Sequence, residues 1–267
     1  MSELVFVGLG LYDEGNISLR GVEAAREADE VFAEFYTSLM PGLSLHKLEK
    51  MIQKKVVVVS RRDLEEENGE KILEAATRGK TVFLVPGDPL IATTHVDLRI
   101  RAERLGIKTN VLHGASIVSA VVGLSGLQNY KFGRSVTIPF SGAGSIAETP
   151  YKVIFENKKI GLHTLCFLDI RVEEKKYMIV KEGLQTLLRV EKRKKKQVVT
   201  SDTLAVVIAR AGSKTPVVKA DRVENLTNLD FGAPPHALVF PGKLHFMEAE
   251  ALVTLARAPE SVKEMMK

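Results

Sequence analysis

A chain of 267 residues, 45% hydrophobic and 27% charged, has the composition of an ordinary folded protein and the length for two cores. Its formal charge of +5 is mildly basic and falls well short of what a protein built to wrap nucleic acid carries. The lone Cys166 excludes an internal disulfide and a multi-cysteine metal site; with no signal-like N-terminus and no apolar run long enough to span a membrane, a cytoplasmic protein is expected.

Leu4-Val5-Phe6-Val7 is continuously apolar, as a strand buried on both faces should be. It runs into Gly8-Leu9-Gly10-Leu11-Tyr12-Asp13. The two glycines let the backbone lie close to a ligand, but Asp13 stands where a dinucleotide fingerprint needs its third glycine, which disfavours a nicotinamide oxidoreductase. Ser18 is placed to cap a helix over 19–28, and 30–35 reads as a short strand. Residues 44–53 read as a helix and 55–60 (KVVVVS) as a fully buried strand. The stretch 63–78 reads as one charged amphipathic helix, weakened by Gly69.

The sequence LVPGDPLIATTH at 84–95 starts as a strand and ends as the entry to a helix that reaches about 104. Its middle is therefore a tight loop at the carboxyl end of a buried strand, where open parallel sheets shape their ligand crevices. Gly87 lets the backbone turn, Asp88 supplies an acceptor, Pro89 stiffens the path, and Thr93 and Thr94 are placed to cap the helix. Taken alone, Gly-Asp-Pro is more often a plain turn. A strand at 110–112 and a helix starting at Ser116 complete a half in which strands and helices alternate. That alternation predicts a parallel sheet with helices on both faces.

Between 113 and 140 the pattern changes, so the domains are placed at 1–113 and 114–267, with Ser141-Gly142-Ala143-Gly144 a possible boundary or crossover. Strands are expected at 134–140, 163–170, 206–211, 216–220 and 237–240, and helices at 151–157, 177–196 and 246–258. The last three strands have no room for helices between them, which predicts antiparallel pairing and a mixed sheet.

Gly8-Leu9-Gly10-Leu11-Tyr12-Asp13, Ala33-Glu34-Phe35-Tyr36-Thr37-Ser38, Gly87-Asp88-Pro89-Leu90 with Ala92-Thr93-Thr94-His95, Tyr130-Lys131-Phe132-Gly133, Leu162-His163-Thr164-Leu165 and Pro234-Pro235-His236 span nearly the whole chain. In these segments it resembles the tetrapyrrole-methylase-like class of S-adenosylmethionine-dependent methyltransferases, and within it the diphthine synthase family. The resemblance implies a two-domain α/β fold with a cofactor cleft between the domains. It also implies donor contacts, mostly by backbone, at Leu11, Asp88, Ile91, Ser116, Ile117, Leu168, Ala211 and His236. The implied methyl donor is S-adenosylmethionine, leaving S-adenosylhomocysteine. The implied acceptor is the amine of a modified histidine on elongation factor 2, and repeated transfer would give a trimethylammonium product. Members are commonly homodimers, and the small-residue segment 116–127 suits either an interface or a buried helix.

A sulfonium methyl is already electrophilic, so such an enzyme must hold the amine in line, exclude water and let the ammonium lose its proton. Asp13, Asp88, Tyr36 and His95 are the polar candidates to accept that proton. None carries the signature of a dedicated base, and positioning is expected to outweigh base catalysis. His95, Tyr36 and His236 also have plainer readings: His95 as a cap or packing residue, Tyr36 as a strand-end tyrosine with its hydroxyl in water, and His236 as a backbone contact. Cys166 reads as a buried inert thiol. No His, Asp and Glu cluster has metal-ligand spacing, so no metal is expected.

The run RVEKRKKK at 189–196 complements the carbonyls at a helix end, or else docks an acidic protein or RNA; with no aromatic residues beside it to stack on bases, no nucleic acid is expected. Rival readings are a tetrapyrrole or ribosomal RNA methylase of the same fold and a non-catalytic nucleotide-binding module.

Overall fold

In the computed structural model, which describes residues 2–142 and 146–266, the chain divides into two units, Met1–Ile117 and Val118–Lys267. Unit 1 runs β1 (Glu3–Gly8), α1 (Leu19–Glu27), β2 (Glu30–Ala33), α2 (Leu45–Ile52), β3 (Val56–Val58), α3 (Arg61–Glu65), α4 (Glu70–Arg78), β4 (Lys80–Val85), α5 (Val96–Arg104) and β5 (Lys108–Leu112). Helix α6 (Ile117–Ser125) begins at its last residue. The five strands lie in the order β3-β2-β4-β1-β5, and every pairing is parallel.

Alternation along β1 shows how its apolar run is used. Val5 and Val7 pack on one face with Val22 and Ala25 of α1 and Leu48 and Ile52 of α2. Leu4 and Phe6 pack on the other with Ile72 and Ala76 of α4 and Leu98 and Ala102 of α5. Ser18 caps α1 through the Gly21 amide. On the sheet, β1 reaches β2 by crossing β4, and β4 reaches β5 by crossing β1. The connections leave β1 and β4 in opposite directions, which makes their carboxyl ends the switch point of the sheet.

Unit 2 runs β6 (Val136–Ile138), α7 (Thr149–Lys159), β7 (Thr164–Leu168), β8 (Ile170–Arg171), β9 (Lys176–Tyr177), α8 (Val180–Lys194), β10 (Leu204–Ala209), β11 (Val217–Arg222), α9 (Val223–Asn228), β12 (His236–Phe240) and α10 (Phe246–Ala256). Its main sheet has the order β11-β10-β12-β7-β6. β10 pairs antiparallel with both β11 and β12, while β6 and β7 are parallel; the expectation that no helix fits among the last three strands is corrected by α9, which lies between β11 and β12. Leu184 and Leu187 of α8 and Leu226 of α9 pack on Cys166, Val207 and Leu238 of the sheet.

Several expectations need correction. The strand at 55–60 is not fully buried: β3 pairs only with β2 at the sheet edge, and Val57 and Val58 are 49% and 50% exposed. The helix expected over 63–78 is two, α3 and α4, broken where Asn68 and Gly69 take positive φ. Neither Thr93 nor Thr94 caps α5; His95 takes the cap position without a side-chain bond, and Thr93 Oγ1 donates to the Pro89 carbonyl. Helix α6 buries Val121 and Ser125, and Val118 is exposed. Ala143 and Gly144, in the expected boundary loop, lie outside the described residues.

Candidate active site

Three loops meet at the carboxyl ends of β1, β4 and β5. The first two are tied by a pair of backbone hydrogen bonds, Gly10 N to Gly87 O at 3.1 Å and Gly87 N to Gly10 O at 2.6 Å. The third closes on them without side chains. A Cβ on Gly8 would stand 2.5 Å from both Gly114 N and Gly87 O, and one on Gly114 would stand 2.3 Å from Gly87 O. Only glycine fits at such an approach. Leu11, Asp88, Ile91 and Ser116 lie on these loops, and Ile117 opens α6: Asp88 and Ser116 are buried, Leu11 and Ile117 are partly buried, and Ile91 is exposed.

Asp88 is a buried carboxylate with both oxygens engaged. Leu90 N donates to Oδ1 at 3.1 Å, which folds the loop after Gly87 back on itself. Oδ2 lies 2.7 Å from Nδ1 of His113, a residue the sequence reading did not single out. The two are 25 positions apart, and no periodicity or motif links them.

A second polar cluster lies at the carboxyl end of β2, around the fully buried Glu34. Its carboxylate accepts from the amides of Tyr36 at 2.8 Å and Thr37 at 3.0 Å, from the Thr37 hydroxyl, and from His95 Nε2 at 3.3 Å. Glu34 lies within the segment 33–38 but carried no separate signal in the sequence. The His95 ring is buried edge-on against Phe83 and Tyr36. Tyr36 corrects the expectation of a hydroxyl in water: its oxygen is buried and has no hydrogen-bond partner among the described residues. Burial, then the Glu34 and Glu65 carboxylates, push that hydroxyl well above the usual phenol range against the pull of Arg61. The shift favours the protonated phenol. Asp13 caps a short helical turn, accepting from Gly15 N and Asn16 Nδ2, both at 3.0 Å.

In unit 2 the other three expected residues gather at one end of the mixed sheet. Leu168 ends β7, Ala211 lies two residues past β10, and His236 opens β12 opposite Ala209. All three are buried. His236 Nε2 lies 3.2 Å from the Ala233 carbonyl, and its Nδ1 has no partner among the described residues. Burial holds its pKa below the usual imidazole value.

Cys166 is fully buried, and burial pushes its thiol well above the usual range, so the plain packing role holds. The basic run forms the end of α8, where Lys194 pairs with Glu148 at 2.6 Å and Lys196 lies over the Phe155 ring. No group of three or more His, Cys, Asp and Glu among the described residues could hold a metal ion.

Comparison with known proteins places this geometry among relatives. Residues 3–227 match the family model of the tetrapyrrole (corrin/porphyrin) methylases. The chain is 53% identical to the diphthine synthase of Methanosarcina acetivorans, over 98% of each chain. It is 48% identical to that of Methanocaldococcus jannaschii, over 93% of this chain and 97% of the relative. A crystal structure of diphthine synthase superimposes with a TM-score of 0.89 at 45% identity, covering 99% of this chain and 100% of the other.

Proposed function

Because the chain belongs to the diphthine synthase family of the tetrapyrrole methylases, we propose that it transfers methyl groups from S-adenosylmethionine to the amine of the 3-amino-3-carboxypropyl-histidine intermediate on elongation factor 2. The observation that carries this reading is the meeting of the β1, β4 and β5 loops, where a Cβ on Gly8 or on Gly114 would run into the backbone of the neighbouring loops. Such a surface offers amides and carbonyls in place of side chains, which suits a small ligand gripped mainly through the backbone. The residues proposed to contact the donor are Leu11, Asp88, Ile91, Ser116, Ile117, Leu168, Ala211 and His236.

The donor supplies an electrophilic methyl group on a sulfonium. What the chain must supply is orientation and a dry setting, in which an amine held in line attacks without competition from water. Apolar contacts at Leu11, Ile91, Ile117 and Leu168 serve both ends. In this reading the enzyme acts in the cytoplasm as a homodimer, and successive transfers lead to a trimethylammonium product. The test is incubation of the protein with labelled donor and elongation factor 2 carrying the unmethylated intermediate, followed by mass spectrometry of the histidine peptide. Label on that peptide is expected; an unlabelled peptide beside a donor-binding protein would contradict the reading.

A further inference from the structure

The Asp88 and His113 pair has the layout of a proton acceptor. An ionised carboxylate can only accept, so at 2.7 Å the His113 Nδ1 donates to Asp88 Oδ2. A neutral imidazole with its proton on Nδ1 carries its lone pair on Nε2. The two ends of the pair differ sharply in setting: the Asp88 side chain is 5% exposed and that of His113 is 74% exposed. The anchor is thus locked inside the protein while the ring stands where a solute can reach it. Asp88 is itself fixed by the Leu90 amide. It is the only carboxylate within ion-pair reach of His113 among the described residues. A buried carboxylate behind an imidazole fixes the tautomer and stabilises the imidazolium formed when the ring takes a proton.

Placement supports the role. His113 follows β5 directly, and the next residue, Gly114, packs its backbone on Gly8 and Gly87 at the meeting point of the three loops. An amine acceptor is an ammonium ion near neutral pH and has no lone pair to attack with until it loses a proton. We propose that His113, held by Asp88, is the catalytic base that takes this proton, an assignment that rests on the methyl-transfer reading above. The N–H bond of the acceptor ammonium breaks, its electron pair stays on nitrogen, and the proton passes to His113 Nε2. The nitrogen then bonds to the methyl carbon as the carbon–sulfur bond breaks and its electron pair goes to sulfur, leaving a neutral thioether. The imidazolium returns its proton to solvent before the next transfer.

The test compares the full-length protein with His113→Ala and His113→Gln, reading S-adenosylhomocysteine affinity by calorimetry and transfer rate against pH. Both variants are expected to keep donor-product affinity within about threefold, about 0.7 kcal/mol. Both should lose about 10²–10⁴ in kcat at neutral pH, as removal of a general base does. Their rates should climb with pH as the acceptor amine deprotonates unaided, and added imidazole should restore part of the His113→Ala rate. Gln still offers Asp88 a donor, so full activity in His113→Gln would show that His113 only props the loop and would overturn the assignment. An unchanged rate in His113→Ala would overturn it too, as would a loss that follows donor affinity with no change in pH profile. If the unaltered protein binds donor but methylates nothing, the reading beneath fails, and the base assignment falls with it.

Discussion

Replacing Glu248 with alanine is expected to lower the stability of unit 2 by about 3–5 kcal/mol, the cost of removing one partner of a buried charge network. Glu248 lies in the first turn of α10 and is fully buried, yet it is surrounded by donors. Oε1 accepts from Gln128 N at 2.9 Å and His163 Nε2 at 2.8 Å; Oε2 accepts from His245 N at 2.8 Å and from the Lys131 ammonium. Gly242 N donates to His163 Nδ1 at 2.9 Å, so the ring is neutral and carries its proton on Nε2, toward the carboxylate. Alanine would strand two amides, an ammonium and an imidazole N–H at once. Over a unit of this size the melting temperature should fall by roughly 6–20 °C. A shift of less than about 1 °C would mean that the network contributes nothing net.

The same network sets an acid limit. Burial of His163 favours the neutral ring and holds its pKa below 6.5, although Glu248 opposes this. Unfolding in acid therefore takes up a proton, and the contribution of His163, full above 6.5, is lost as pH falls toward its folded value. Burial pushes Glu248 upward, but the Lys131 ammonium, the Gln128 and His245 amides and His163 outweigh it and bring the carboxyl from 4.5 to about 2. Its contribution is full above 4.5 and is lost as pH drops toward 2. Both signs agree, so a melting curve against pH should fall in two stages on the acid side in the unaltered protein and lose the lower stage in Glu248→Ala.

Gly114→Ala should damage unit 1 in a different way. The added methyl would meet Gly87 O at 2.3 Å and the backbone of Gly8 at 2.9 Å, and none of these atoms can swing aside as the end of a side chain would. Overpacking of this kind costs about 1–3 kcal/mol. Because the loops must part to make room, donor affinity should fall by about tenfold or more, or at least about 1.4 kcal/mol. Gly123, in α6, is the control. A Cβ there meets nothing within 4 Å, so Gly123→Ala should leave binding intact and gain about 0.5–1 kcal/mol from helix propensity. Equal behaviour of the two variants would show that the loops are not held at this contact.

Much of the fold was legible because burial on both faces writes itself into a strand. β1 and β4 read correctly as continuous apolar runs, and the short step from β10 to β11 left only antiparallel pairing. β3 misled because four consecutive valines look the same on a sheet edge as in its middle; strand order, not composition, decides exposure. The break between α3 and α4 was hidden because the amphipathic pattern continues across Asn68 and Gly69. α9, β8 and β9 are too short to show a period.

At the candidate site the glycine loops and Asp88 were visible from local turn chemistry. His113 was not, since its significance lies in a partner 25 positions away that the sheet brings near. Glu34 was overlooked for the same reason: its bond to His95 spans 61 positions. Tyr36 was placed at the right end of β2 but with the wrong surroundings, because nothing local says that its hydroxyl is covered.

Titration of S-adenosylhomocysteine into the unaltered protein and into Asp88→Ala tests most directly whether these loops grip the cofactor. Saturable binding is predicted for the unaltered protein. The variant, which lacks the carboxylate that folds the loop at Leu90, should bind about tenfold or more weakly, in keeping with the loss of a charged hydrogen bond. No uptake by the unaltered protein, or equal affinity in the two, would contradict the account.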